Sequence, residues 1–176
     1  MSSSLSFGTG IWAFGQFVDR YAADGYGPAR STQDMLDAAA RVEDLVYLDI
    51  NVPFATESLS AAEVRRMLDD RGLKCRATTP HIYMHDYVKG SFTNPDRAMR
   101  EQTRRRVEEA IEAAQVLDAG YVKFWPGQDG YDMPGQADYM QLWDYTIEGI
   151  RAICSAHPEV QFAIEYKPKE PRVRMT

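Results

Sequence analysis

Short apolar runs alternate with longer amphipathic segments along the chain, the pattern that builds βα units around a parallel sheet. Strands are predicted at residues 7–12 (FGTGIW), 45–50 (LVYLDI), 73–78 (LKCRAT), 120–125 (GYVKFW) and 160–166 (VQFAIEY). Between them, the segment 31–42 opens with Ser31 and Thr32 as candidate N-caps and places Met35, Leu36, Ala39 and Val42 on one helical face. The segment 60–71 opens with Ser60 followed by Glu63, a capping box, and Gly72 marks its stop. A long helix over 95–117 carries Val107, Ala110, Ile111, Ala114 and Leu117 as its apolar stripe, with Arg104 to Arg106 on a solvated face. A last helix over 139–154 is expected to bury Leu142, Trp143, Ile147, Ile150 and Cys154.

Four βα units and a fifth strand describe an incomplete parallel (β/α) barrel of the TIM type, expected to form one domain over residues 1–176. Eight such units take about 250 residues. A half barrel exposes strand edges and apolar surface, so either the sequence is a fragment or a second copy or hetero-subunit completes the barrel.

Composition narrows the function classes. The chain is 44% hydrophobic and 26% charged, the profile of a soluble globular protein. With 20 Lys plus Arg against 26 Asp plus Glu, the net charge of −6 gives no pull toward nucleic acid or anionic lipid. Cys75 and Cys154 lack CxxC spacing, which argues against zinc or a disulfide framework and for reduced, buried thiols. No apolar run approaches the roughly 18 residues of a membrane span, and the N-terminus lacks a leader pattern, so a cytoplasmic location is expected.

The chemistry concentrates at strand C-terminal ends, where parallel barrels place their active sites. Alternation along the fifth strand puts Ala163, Glu165 and Lys167 on one face, so a carboxylate and an amine converge at the mouth. Glu165 can ligate a hard divalent cation, and Lys167 can stabilise an oxyanion beside it; the alternative is an ion pair at a strand end. His81 and His85 follow the third strand as candidate bases or hydroxyl donors, or as loop and surface histidines. His157, before a proline, reads as a surface residue. Trp12 and Trp125 are candidate substrate-binding residues offering flat apolar faces, with ordinary core packing as the alternative for Trp125. Asp49, within the second strand, and Asn51, just after it, are polar candidates. The Gly/Pro-rich stretch 126–135 directly follows a strand, as active-site loops do.

Glu165-x-Lys167-Pro168-x-Glu170-Pro171-Arg172 resembles the signature of xylose isomerases. The resemblance extends to Phe7-Gly8-x-Gly10-x-Trp12, to Ala77-Thr78-Thr79 through Gly90-Ser91-Phe92-Thr93, to Asp96-Arg97, and to Tyr121-Val122 through Trp125, Gly127 and Gly130. It implies an N-terminal portion of the xylose-isomerase-like superfamily of sugar isomerases and sugar phosphate isomerases/epimerases. It further implies a divalent cofactor (Mn²⁺ or Mg²⁺, with Co²⁺ as a third option) held partly by Glu165, a small sugar or glycoside substrate, and Lys167 at the substrate oxygen. The other ligands of that family come from later strands. One departure stands out: aldose isomerases of this type carry a His with a nearby Asp after the second strand, whereas Val46 through Phe54 contains no histidine. That favours an epimerase, a different sugar, or chemistry on an intact ring. Lyase-type cleavage of 3-oxo-glycosides (a C- or O-glycoside deglycosidase subunit) and an inactive fragment are the remaining readings.

Overall fold

The computed structural model describes residues 5–16, 25–131, 133 and 135–166. Its elements run β1 (Phe7–Gly10), α1 (Thr32–Ala39), β2 (Leu45–Val52), α2 (Ala61–Asp69), β3 (Lys74–Pro80), α3 (Arg97–Leu117), β4 (Tyr121–Phe124), α4 (Tyr139–Ala156) and β5 (Phe162–Ile164), with short 3-10 turns at Ile11–Phe14 and His85–Tyr87. The five strands form one sheet in the order β1-β2-β3-β4-β5, every neighbouring pair parallel. Sequential parallel strands joined by helical crossovers are the unit from which (β/α) barrels are made, and the parallel βα arrangement expected from the sequence is what the described residues form.

Helix starts follow the local chemistry. Ser60 accepts from the Glu63 backbone N–H while the Glu63 carboxylate takes the Ser60 N–H at 2.8 Å, and the same reciprocal box closes α1 through Ser31 and Asp34. Both carboxyl groups are held below their usual pKa by these hydrogen bonds, the serine hydroxyl contributing most. Gly72 sits at φ +67°, where a non-glycine residue is strained.

The core lies between the sheet and its helices. Leu48, Ile50 and Val52 of β2, Val122 and Phe124 of β4, and Val64, Leu68, Val107, Ala110, Ile111 and Leu117 of the helices are buried together. Thr78 belongs to this outer layer, its hydroxyl donating to the Ala110 carbonyl at 2.8 Å. Alternation therefore turns Asp49, Asn51, Thr79 and Lys123 to the opposite, concave side.

Several expectations are corrected. Trp12 lies on a 3-10 turn rather than in β1. Val42 follows the end of α1 and is 47% exposed, because the helix stops at Ala39 before its stripe reaches it. On α4, Leu142 and Ile153 are buried, but Trp143 and Ile147 are exposed along with Met140, on a side that no described element covers. His157 is half-buried rather than on the surface, with Nε2 at 2.6 Å from the Glu108 carboxylate. Arg104 and Arg106 are half-buried and pair with Glu101 and Glu109 of their own helix.

Candidate active site

Three concave-face side chains meet at the C-terminal end of the sheet. Lys123 of β4 places its ammonium 3.1 Å from Asp49 of β2 and 2.8 Å from Glu165, the residue after β5. Register explains the meeting: Lys123 pairs with Ala163, and Glu165 lies two residues further along the same face. The Glu165 backbone N–H donates to the Phe124 carbonyl at 2.8 Å, which continues the ladder to this position. Burial opposes the charged form of Lys123, but its hydrogen bonds and charge interactions with Glu165 and Asp49 outweigh that, and the ammonium is held above its ordinary pKa. At neutral pH it is a fixed cation.

Two indoles flank this row. The Lys123 ammonium lies 4.8 Å from the centre of the Trp12 ring, a cation–π distance. Trp12 folds over Gly10, where a Cβ would meet the ring at 2.1 Å, and Trp125 folds over Gly127, where a Cβ would meet it at 2.5 Å. Each tryptophan thus needs its glycine two positions away, which gives a physical reason for the Gly-x-Trp and Trp-x-Gly pairs. Trp125 packs edge-on against Tyr83 at 4.6 Å, and Tyr83 packs edge-on against His81 at 5.0 Å. The Tyr83 hydroxyl accepts a hydrogen bond from the Asn51 amide at 2.8 Å, and burial, opposed by this bond and reinforced by Glu165, raises its pKa.

Of the residues singled out in the sequence, Asp49 and Glu165 join through Lys123 against Trp12, while Asn51, Trp125 and His81 are brought together by Tyr83 in an adjoining row. His85 is exposed at the start of the 3-10 turn His85–Tyr87, whose Tyr87 is buried. Lys167 lies outside the described residues. Sequence reasoning missed Lys123, Tyr83 and Asp129. For Lys123 the signal was present, a lone cation inside an apolar four-residue strand.

Asp129 joins the loops around the site. It is 1% exposed, and its carboxylate accepts the backbone N–H and hydroxyl of both Ser91 and Thr93. Its pKa is raised, because burial outweighs those four donors. The loop after β4 is thereby tied to the loop after β3, and Gln128 adds a bond to the Tyr83 carbonyl.

Burial, with a smaller push from Arg106, lowers His81 to about 4. His81 is then neutral at pH 7 and a weak base. With the folded pKa below the unfolded value of 6.5, the unfolded state binds more protons as pH falls. The stability that neutral His81 contributes is therefore intact above 6.5 and is lost between 6.5 and about 4, a change of about 3 kcal/mol at most. Urea unfolding at pH 7.5 and 4.5 is expected to show a smaller acid loss for His81→Gln than for the unaltered chain; an identical loss would contradict this assignment.

Among the described residues no three His, Cys, Asp or Glu side chains are grouped to hold a metal ion. Glu165 suits a hard cation as one oxygen ligand, being a carboxylate whose side chain is 42% exposed at the mouth. No described helix is long and apolar enough to cross a membrane. A groove of about 330 Å³ lies elsewhere, between the loop after β2 and α3, lined by Phe54, Leu59, Ala113 and Val116.

Comparison with known proteins agrees with this fold. A family model described as xylose isomerase-like TIM barrel matches residues 36–173. The xylose isomerases of Thermus thermophilus and Thermus caldophilus are each 27% identical over 94% of this chain and 46% of their own length. The chain thus spans about half the length of the curated relatives it matches. Among solved structures, a D-tagatose 3-epimerase-like protein superposes with a TM-score of 0.69 at 14% identity, covering 96% of this chain and 55% of that one. D-allulose 3-epimerase from Methylomonas sp. superposes at 0.63 and 11% identity, covering 96% and 52%.

Proposed function

Because the chain belongs to the xylose isomerase-like TIM-barrel family, we propose that it carries half of the site of a metal-assisted isomerase or epimerase acting on a small sugar. The observation that supports this most is the convergence of Asp49, Lys123 and Glu165 beside the Trp12 ring at the mouth of the sheet. Glu165 is the ligand this chain offers to a Mn²⁺ or Mg²⁺ ion; the further ligands belong to residues outside those described. Such an ion, when bound, polarises a sugar carbonyl as a Lewis acid.

The chain's own residues bind and orient. Trp12 and Trp125 present flat apolar surfaces to the C–H face of a sugar ring or chain. An ammonium has three N–H donors, and Asp49 and Glu165 engage two of those of Lys123, so the third can face a substrate oxygen. Lys167 is assigned the developing oxyanion. His81, neutral at working pH, serves as a hydrogen-bonding group rather than the base.

Asp49 is committed to Lys123 where aldose isomerases of this type carry a ring-opening histidine. This favours an epimerase, a different sugar or chemistry on an intact ring over isomerisation of a cyclic aldose through that pair. Among the described residues, the exposed apolar face of α4 and the unpaired outer edges of β1 and β5 support completion of the barrel by further βα units, from additional polypeptide or a second subunit.

Because this chain carries half of the site, the test is made on the barrel completed by further βα units: proton NMR in D₂O, with Mn²⁺ removed before acquisition, applied to ketohexoses, aldopentoses and a 3-oxo-glycoside. Deuterium entering next to the carbonyl of a free sugar is expected, slowed at least a hundredfold by Glu165→Gln. Cleavage of the 3-oxo-glycoside with free sugars untouched would assign the lyase reading instead. Inertness toward all of them would leave a scaffold without activity.

A further inference from the structure

We propose that Asp129 is a positioning residue of the candidate site: by holding the loops after β3 and β4 against each other, it fixes the Tyr83–Trp125 ring pair at the mouth. This rests on the reading of Trp125 as a substrate wall and goes beyond it, because it assigns the place of that wall to a buried carboxyl group rather than to the rings themselves.

The loop after β3 carries Tyr83, and the segment after β4 opens with Trp125. Segments that leave a sheet have no strand ladder to hold them, so their place depends on the partners their polar groups find. Here one carboxylate is the shared partner. Asp129 accepts the Ser91 and Thr93 N–H groups at 3.1 and 2.8 Å together with both hydroxyls, and all three residues are at most 1% exposed. Drawing the loops apart would strand four donors and their acceptor at once where water does not reach, so the two loops move as one body.

The ring pair is tied into that body from both sides. The Asp129 N–H donates to the Pro126 carbonyl at 3.1 Å, which closes a tight turn directly after Trp125. Within the turn, the Gln128 side-chain amide donates to the Tyr83 carbonyl at 3.3 Å. Phe92, between the two residues that Asp129 holds, packs edge-on at 5.8 Å against Phe124, the residue before Trp125. The edge-on contact of Tyr83 with Trp125 at 4.6 Å therefore spans two loops that Asp129 joins. Gly90 belongs to the same arrangement, since a Cβ there would come within 2.1 Å of the Thr93 hydroxyl oxygen and 3.2 Å of the Asp129 carboxylate. The Tyr83 hydroxyl is held separately, by Asn51 of β2, so the two anchors can be told apart.

The test needs neither metal nor sugar. Indole ¹⁵N NMR of the unaltered chain, Asp129→Ala and Asp129→Asn is compared, with Trp125→Phe identifying the Trp125 signal among the three tryptophans and circular dichroism checking the fold. Asp129→Ala is expected to shift the Trp125 signal and to lose the Tyr83–Trp125 ring cross-peaks, while the Trp12 and Trp143 signals stay in place. Asp129→Asn is expected to restore both. A folded Asp129→Ala that keeps the ring cross-peaks, or that disturbs all three indoles alike, overturns the positioning role. Should Asp129→Ala fail to fold, hydrogen exchange of the unaltered chain decides: the Ser91, Thr93 and Asp129 amides are expected to open together, with protection factors within about threefold of one another, and independent opening overturns the proposal. The wall reading has its own arm. On the barrel completed by further βα units, Asp129→Ala is expected to raise KM for the sugar about tenfold with little change in kcat. An unchanged KM beside a displaced Trp125 leaves Asp129 its positioning role and overturns the reading of Trp125 as a wall.

Discussion

Asp129→Ala is expected to lower the unfolding free energy by about 3 kcal/mol, whereas Asp129→Asn is expected to cost only about 1 kcal/mol. The alanine leaves the Ser91 and Thr93 N–H groups without an acceptor in a site from which water is excluded, and each buried unsatisfied donor costs about 1–3 kcal/mol. The asparagine keeps most of the pattern. Its carbonyl oxygen, in the place of Oδ1, accepts from the Ser91 and Thr93 N–H groups and the Thr93 hydroxyl, while its amide donates to the Ser91 hydroxyl in the place of Oδ2. It also removes a fully desolvated charge, which offsets the imperfect contact of its amide with the Ser91 N–H. Burial holds the Asp129 pKa above its unfolded value of 3.8, so the carboxyl group contributes most below that value, and the contribution declines as pH rises through the folded pKa. Urea unfolding of both variants from pH 4 to pH 8 checks the assignment. The asparagine variant should compare least favourably with the unaltered chain at the acid end. Equal damage from Ala and Asn would show that the charge itself, rather than the hydrogen-bond pattern, holds the two loops together.

A second large effect is expected on the opposite side of the sheet. Phe124 is 1% exposed, stacks on Phe162 with ring centres 5.4 Å apart and meets Phe92 edge-on at 5.8 Å. Phe124→Ala is expected to cost about 4 kcal/mol, because the lost transfer energy is compounded by a cavity that the rigid sheet cannot close. Little relief is available from α4, where Gly149 already lies so close to the Phe92 ring that a Cβ would come within 2.7 Å of it. Thermal and urea unfolding measure the loss; a cost below about 1 kcal/mol would mean that α4 settles into the space. Phe124 also precedes Trp125 and follows Lys123, so loss of this anchor is expected to loosen both site residues as well.

Much of this was legible because the interactions that set it are local. Capping boxes at Ser31 and Ser60 lie within one helical turn, and the stripe of Val107, Ala110, Ile111, Ala114 and Leu117 repeats at the helical period. Glu165 was placed on the concave face by alternation alone. Where the reading failed, the deciding contact was remote. Trp143 and Ile147 lie on the expected stripe of α4, yet are exposed, because a helix buries a stripe only where a neighbour covers it. His157 was assigned to the surface on the strength of its neighbouring proline, with no view of Glu108 on another helix.

Among the described residues, the sequence by itself determined the order of the strands and helices, their ends to within about two residues in most cases, and the face of the fifth strand on which Glu165 lies. These follow from hydrophobic periodicity and terminal hydrogen bonding, which act between residues a few positions apart. Only the tertiary structure decided that Lys123 neutralises Asp49 and Glu165, and that Asp129 fastens Ser91 and Thr93. Both depend on strand register and loop closure, which bring charges from distant parts of the chain within hydrogen-bond range and carry no local signature.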